Sequence, residues 1–498
     1  MAQRTLIGGT AYTVSKGKTL VNGTTYNIKS GRTLINGTGY NINFAPKAND
    51  YYAIIYNTGD MCFKAWNTGT ESGKTVIGEY KGFINVPVGT VAEVKWYNQR
   101  NNIVNVYFKN NVSTTHTQVW FSECKNLKTI NTTNLNLHAI IYATSMLYNC
   151  TSYVGQPLVM PNVGTMNFTY TNCESMTGSP YCGNNTYSMY YTYNGCKSIT
   201  GNPVCGPNVV NFAHAYARCS NLTGAPVCGN KVTNMCATYW ESGVSGNAVC
   251  GPDVTNMYDA YARCANLSGS PACGDAVVNF NRAFWNCSNL TGKPIIGNSV
   301  VDAQSAYANC FKLTGSPMCP NSIRNFNFTF QECHSLTGSP ATSDYADGMR
   351  YTYYNCQNIT GRPVIGNNVV LADFCYVDCV NLTQGPIVGA NVTNLCWAFA
   401  RSTDKMGGNS YIYANNIINV HWAYRRTNGS APRLNIYFHA NTVTNNSILG
   451  ENSQNSSHSV TGQVISWTKY SNGCWKSWQN LFFYPVANVA AARAANGD

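Results

Sequence analysis

The sequence predicts a mainly β protein, a solenoid of about thirteen coils of 23 residues, preceded by small β modules and closed by a β cap. Three observations carry this. Cysteines recur at a step of 23 through the middle of the chain. An aromatic residue stands three places before each of them from Tyr170 onward. A glycine and a proline follow at set offsets in most copies, and a second cysteine in six. Such a period means that each coil makes one circuit and lands on its predecessor, so equivalent side chains stack at about 4.8 Å.

The anchor column runs Cys150, Cys173, Cys196 and Cys219, with Cys124 one irregular step of 26 earlier. Ser242 takes the next place, and one residue is then deleted. Cys264, Cys287, Cys310, Cys333, Cys356 and Cys379 follow, and Ser402 ends the series. The aromatic column is unbroken from Tyr170 through Tyr216 to Phe399. Tyr216 and Leu222 are expected to face a core that neighbouring coils share. Cys219 and Cys228 are expected to fill places too narrow for leucine. Gly224 would supply positive φ at a corner, and Pro226, unable to donate to a ladder, belongs at a turn or strand end. Asparagines eight before the anchor (Asn211, Asn234, Asn256) are expected to hydrogen-bond turn backbone between coils.

The pattern V-x-N-[FM]-x-x-A-[YF]-x-x-C-x-N-L-T-G-x-P resembles the BspA-type leucine-rich repeat and the related bacterial surface protein repeats, over about residues 115–402. The resemblance implies a leucine-rich-repeat-type solenoid. The Gly-x-Pro-x-Cys turn departs from the commonest form of that pattern.

Ahead of the solenoid, "TLIGGTAYTVSKGK", "TLVNGTTYNIKSGR" and "TLINGTGYNI" repeat with a period of 14. Each reads as a short strand, a glycine turn and an alternating strand. These units, spanning residues 1–44, resemble the tandem TLxxGTxYxI units of phage structural proteins. The resemblance implies a tail or head fibre-like virion protein, attached to other virion proteins through this end. Residues 45–114 alternate apolar and polar and suggest a small β module, a sandwich. Residues 403–498 are expected to form a capping β module, because a last coil would otherwise expose an open apolar edge. The aromatic-rich stretch 465–486 resembles the closing segment of phage-encoded proteins that carry such repeats.

Charged residues make up 10% of the chain, against about 25% in an average soluble protein. The net charge of +12 is spread without a basic run, which argues against nucleic acid as a partner. No stretch approaches the roughly 18 apolar residues of a membrane span, and the N-terminus has no apolar core of an export signal. Most of the 22 cysteines are therefore expected as buried reduced thiols, with disulfides between stacked cysteines the alternative. No phosphate-binding loop, nucleophile elbow, paired carboxylates or zinc-type His/Cys spacing is present, so no catalysis, metal or cofactor is expected.

What remains is a binding surface. Trp240, Trp285 and Tyr354 share the position two before the anchor. Rings among neutral amides suit a glycan, whereas rings that cover the outer wall are the competing explanation. Trp467, Trp475 and Trp478 divide in the same way between ligand contact and the core of the cap. The expected function is that of a surface-exposed virion protein, assembled in the host cytoplasm, that adheres to a bacterial surface glycan or protein. A capsid decoration or tail protein without receptor role and a bacterial cell-surface adhesin are the alternatives. No heptad register imposes a trimer, and a homo-oligomer is compatible with the sequence.

Overall fold

The computed structural model describes residues 51–65, 71–420, 422–426, 430–440, 474 and 480–498, with the backbone of short strands between 4 and 41, at 468–469 and at 475–476. Each 14-residue unit folds as one antiparallel hairpin. The pairs are β1 (Arg4–Ile7) with β2 (Thr10–Thr13), β3 (Lys18–Val21) with β4 (Thr24–Asn27), and β5 (Arg32–Ile35) with β6 (Thr38–Asn41).

Next come β7 (Tyr52–Tyr56), β8 (Asp60–Lys64), β9 (Val76–Lys81), β10 (Asn105–Phe108) and β11 (Thr129–Asn131). They form a single five-stranded sheet in the order β11-β10-β8-β7-β9, in place of the expected sandwich. The reason lies in what covers its apolar face. Phe63 stacks on Trp120 at 5.5 Å, and Trp96 donates its indole N–H to the Trp120 carbonyl at 2.6 Å. The first coil does the work of a second sheet. Its strand β11 also extends the sheet by parallel pairing with β10.

From there one bridge residue per coil stacks in parallel, in an unbroken run from His116 to Asn419. The coils contain far less strand than expected. After each bridge the chain runs through linked turns instead. In one coil Ala215 N–H bonds Phe212 C=O, Ala217 bonds His214, and Cys219 bonds Tyr216. The intervening N–H groups of Phe212, His214, Tyr216 and Arg218 reach carbonyls of the following coil at 2.7–3.0 Å. Alternate donors thus tie the turn and the stack, and with Ala213 N–H bonded to Asn211 Oδ1 every N–H from Phe212 to Cys219 has a partner. The geometry requires positive φ at His214 (55°) and Arg218 (59°), the third residues of their turns, where type II turns need it.

The core columns have specific polar duties. Tyr216 is fully buried, donates its hydroxyl to Val204 C=O at 2.7 Å and accepts from Val204 N–H at 3.0 Å. That hydroxyl satisfies the backbone of the opposite wall, which lacks a strand ladder. The Cys219 thiol donates to Tyr193 C=O of the preceding coil at 3.0 Å, ten other anchors from Cys150 to Ser402 make the equivalent bond, and Ser242 Oγ instead lies 3.9 Å from Cys264 Sγ. Leu222 is buried beside them, and Pro226 is buried at the turn. Cys228 is half-buried, with its sulfur 3.0 Å from where a Cβ on Gly251 would stand. All 22 cysteines are free thiols.

Two local expectations need correction. Gly201 and Gly361 have φ of 86° and 84°, but Gly224 does not take positive φ. It is glycine because a Cβ there would lie 2.6 Å from Asn202 Cα. The coil that follows is one residue short, and Gly246 (φ 81°) makes its corner. The asparagines eight before the anchor bond backbone of their own coil, Asn211 Oδ1 accepting from Ala213 N–H at 3.1 Å and Asn234 Oδ1 from Cys236 N–H at 3.0 Å, and they meet the neighbouring coil through side chains, as Asn256 Nδ2 donates to Asn234 Oδ1 at 3.3 Å. The short Asx side chain reaches the backbone two residues on more readily than the next coil. Bonds to the backbone of the preceding coil come from asparagines two after the anchor, such as Asn289 to Ala265 C=O and Asn381 to Gln357 C=O.

The stack does not stop at Ser402. Tyr424 continues the inner rings at 5.2 Å from Phe399. Strands β12 (Val364–Ile365), β13 (Ile387–Val388), β14 (Gly408–Ile412), β15 (Leu434–His439) and β18 (Leu481–Val486) pair in parallel on one wall, with β16 (Thr468–Lys469) and β17 (Trp475–Lys476) beyond β18. A short helix α1 (Val489–Ala495) follows, and Asp498 is fastened to Arg362 at 2.8 Å. One apolar core runs from Ala53 to Phe483, so neither residue 114 nor residue 402 interrupts it. Among the described residues no helix is long and apolar enough to cross a membrane.

Candidate binding face

The two left-handed positions of each coil decide what the outer wall displays. At the position five before the anchor φ is 49–59° in coil after coil, so successive side chains project in register. Near the C-terminal end this column holds Phe328, Tyr351, Phe374, Trp397 and Trp422. Their rings stack at 5.2, 4.6, 6.0 and 4.6 Å with interplanar angles of 7–29°. All five are half-buried. Phe168, Tyr191 and His214 make a shorter stack at 5.2 and 4.1 Å nearer the N-terminus. Burial lowers the pKa of His214 and favours its neutral ring. Burial likewise raises the pKa of Tyr351. Between the two stacks the same column holds Ala237, Asp259, Arg282 and Ser305.

The expected ring positions lie beside this column. Small residues two before the anchor, such as Ala217 and Ala262, are buried, and only the large ones reach the surface. Trp240 carries the Arg218 guanidinium over its ring at 4.4 Å, and its indole N–H is buried without a hydrogen-bond partner. Trp285 carries two guanidiniums, Arg282 at 4.4 Å and Arg263 at 4.8 Å. Glu241 joins Arg218 and Arg263 at 3.4 and 2.7 Å, and Asp259 pairs with Arg282 at 3.0 Å. Burial raises the Asp259 pKa, against the pull of both arginines. The ring faces of Trp240 and Trp285 are therefore engaged within the wall. Tyr354 leans on Tyr351 of the aromatic stack at 5.5 Å. Of the three expected residues, it alone touches that stack among the described contacts. Trp467 and Trp478 lie outside the described residues, and Trp475 is described only as backbone of β17.

Ion pairs flank the long stack. Arg350 Nε reaches both Asp373 oxygens at 2.9 and 3.0 Å, and Arg401 pairs with Asp378 at 2.5 Å. Arg425 lies over Trp422 at 4.1 Å. Among the described residues no group of three or more His, Cys, Asp or Glu side chains is placed to hold a metal ion. The buried anchor thiols are poor nucleophiles, since burial pushes Cys264 up to about 12 and most other anchors higher still.

Sequence reasoning missed the outer stack because it ranked columns by constancy, and this one varies. The signal was present: aromatics at Phe328, Tyr351, Phe374 and Trp397 are 23 apart.

No family model matches the chain, and no curated protein does. Solved structures are similar to it, two of them as follows. A leucine-rich cell surface protein from Faecalibacterium prausnitzii shares 13% identity over 75% of this chain and 94% of its own, with a TM-score of 0.33. A leucine-rich repeat protein from Eubacterium ventriosum shares 12% over 84% and 97%, with a TM-score of 0.27.

Proposed function

We propose that this chain is a surface adhesion protein, without catalytic activity, that binds its target through the outer aromatic stack from Phe328 to Trp422. One observation supports this reading above others. The fold does not require rings at that position, because Ala237, Asp259, Arg282 and Ser305 occupy it with the same backbone. Five half-exposed rings in consecutive coils exceed what the solenoid needs for its own packing. Contiguous exposed apolar surface of this kind marks an interaction site. Aromatic side chains also dominate the energetics of interfaces.

The test uses the full chain with Tyr351, Phe374 and Trp397 all changed to Ser. Adhesion to target cells is expected to fall by more than about tenfold, a loss of at least 1.4 kcal/mol, while the near-UV signal of the inner tyrosines is retained. Undiminished adhesion by a folded triple variant removes the reading. Incubation with host polysaccharide is expected to leave its chain length unchanged.

The likeness of residues 1–44 to phage structural repeats supports mounting on a virion through that end. Detection of the protein in purified virions, and competition with phage for host cells, test this. A virion part without receptor role would be present but would not compete. Absence from virions together with display on a bacterial cell would transfer the same adhesive role to the cell surface.

A further inference from the structure

Resting on that reading, we infer that the ligand of the outer stack is a neutral, extended polysaccharide lying parallel to the solenoid axis, with about one sugar residue per coil. Three features of the stack argue for it.

The first is register. Successive rings are 4.6–6.0 Å apart. An extended peptide presents same-face side chains every second residue, about 6.6–6.8 Å, and drifts out of register within a few coils. A pyranose and its bridging oxygen in an extended chain advance by about one coil. A polyproline-type peptide docks in grooves between aromatic rings, and here the rings close on one another and leave no groove.

The second is which part of each ring is offered. The faces are consumed by stacking within 7–29°, so the exposed part is the edge. The edge is the positive part of the ring quadrupole and prefers oxygen. A glycan supplies hydroxyl, ring and bridging oxygens at every step along its length.

The third is charge. Arg350 and Arg401, beside the stack, are held by Asp373 and Asp378. Arg425 lies on the Trp422 ring at one end. A polyanion would need a row of unpaired cations along its path, and the flanks of these rings are lined with neutralised pairs.

The experiment takes cells to which the full-length protein adheres and treats them separately with periodate, which cleaves sugar diols, and with protease. Adhesion is expected to be lost after periodate, to survive protease, and to be nearly independent of salt. Size-fractionated neutral oligosaccharides from the same surface are expected to bind more tightly with each sugar up to about the fifth and then to level off. Phe374→Ser, which breaks the stack in two, is expected to abolish that gain with length. Adhesion that survives periodate but not protease, or that falls steeply with salt, overturns the inference and leaves the adhesive reading standing. Absence of adhesion to any cell tested as virion host or bearer would instead remove the reading on which it rests.

Discussion

The solenoid carries two ring columns, one inside and one outside, built on the same period. The inner rings from Tyr170 to Phe399 stack at 5.2–5.9 Å, and the outer rings from Phe328 to Trp422 at 4.6–6.0 Å. The spacing is alike, because both are set by coil-to-coil hydrogen bonding. The difference is in what each ring replaces. An inner ring fills buried volume, and each inner tyrosine hydroxyl pairs with backbone of the opposite wall. An outer ring displaces only water. Stacking alone therefore says nothing about role, and burial with polar satisfaction does. The inner column is required by the fold, whereas the outer one is available for selection by a ligand.

The strongest way to break this contrast is truncation on both sides. Tyr216→Ala is expected to cost about 3–5 kcal/mol for the lost ring, as for other large core aromatics. It also leaves the Val204 N–H and C=O unpaired, a further ~1–3 kcal/mol. Phe374→Ala on the outside should cost no more than about 0.5–1.5 kcal/mol of ring contact. Urea unfolding followed by circular dichroism measures both, and equal costs would dissolve the distinction.

A second test uses pH. The anchor thiols have raised pKa values in the folded chain, with Cys264 pushed up to about 12 by burial. In the unfolded chain a thiol ionises near pH 8.5. Their contribution is thus fully present below about pH 8.5 and is lost as pH rises from there toward 12, by up to about 1.4 kcal/mol per pH unit for each buried thiol. A urea midpoint that stays constant between pH 8 and 10.5 would contradict this. Of the long outer stack, Tyr351, whose pKa burial also raises, should add to that slope.

Smaller still is the effect of the thiol as a donor. Cys219→Ala removes the bond to Tyr193 C=O and is expected to cost about 1–3 kcal/mol. Cys219→Ser should cost less, since Ser402 already donates to Tyr376 C=O at the equivalent place. Denaturation of the two variants side by side ranks them, and a serine variant weaker than the alanine one would refute the donor role. Smallest of all, Ser305→Asn on the outer column should stabilise by a few tenths to about 1 kcal/mol. Ser305 sits at φ 54°, where asparagine is better tolerated.

Much of this was legible in the residues. Cysteine is constant at the anchor because little else fits a narrow place and donates a weak hydrogen bond. Tyrosine outnumbers phenylalanine inside because its hydroxyl serves the facing backbone. Even the left-handed backbone left a trace: Asn149, Asn172, Gly195, Asn286, Asn309, Asn355 and Asp378 stand just before their anchors, and all are types that tolerate positive φ. That trace was obscured because Arg218, Glu241 and Arg263 share the column. The outer stack was harder to see. Nothing in the fold constrains that column, so its residues vary, and variation reads as irrelevance until the rings are found face to face.

The sequence by itself determined the repeat, its anchor, the inward-facing columns and the low charge content of the chain. These follow from local chemistry recurring at one period. Only the tertiary structure decided that the coils are joined by linked turns rather than strands, that the sheet at 51–131 and the final strands share one core with the solenoid, and that Phe328, Tyr351, Phe374, Trp397 and Trp422 form one continuous edge. Those outcomes depend on which backbone groups of neighbouring coils meet. That is a property of the stacked coils together and is written in no single copy of the repeat.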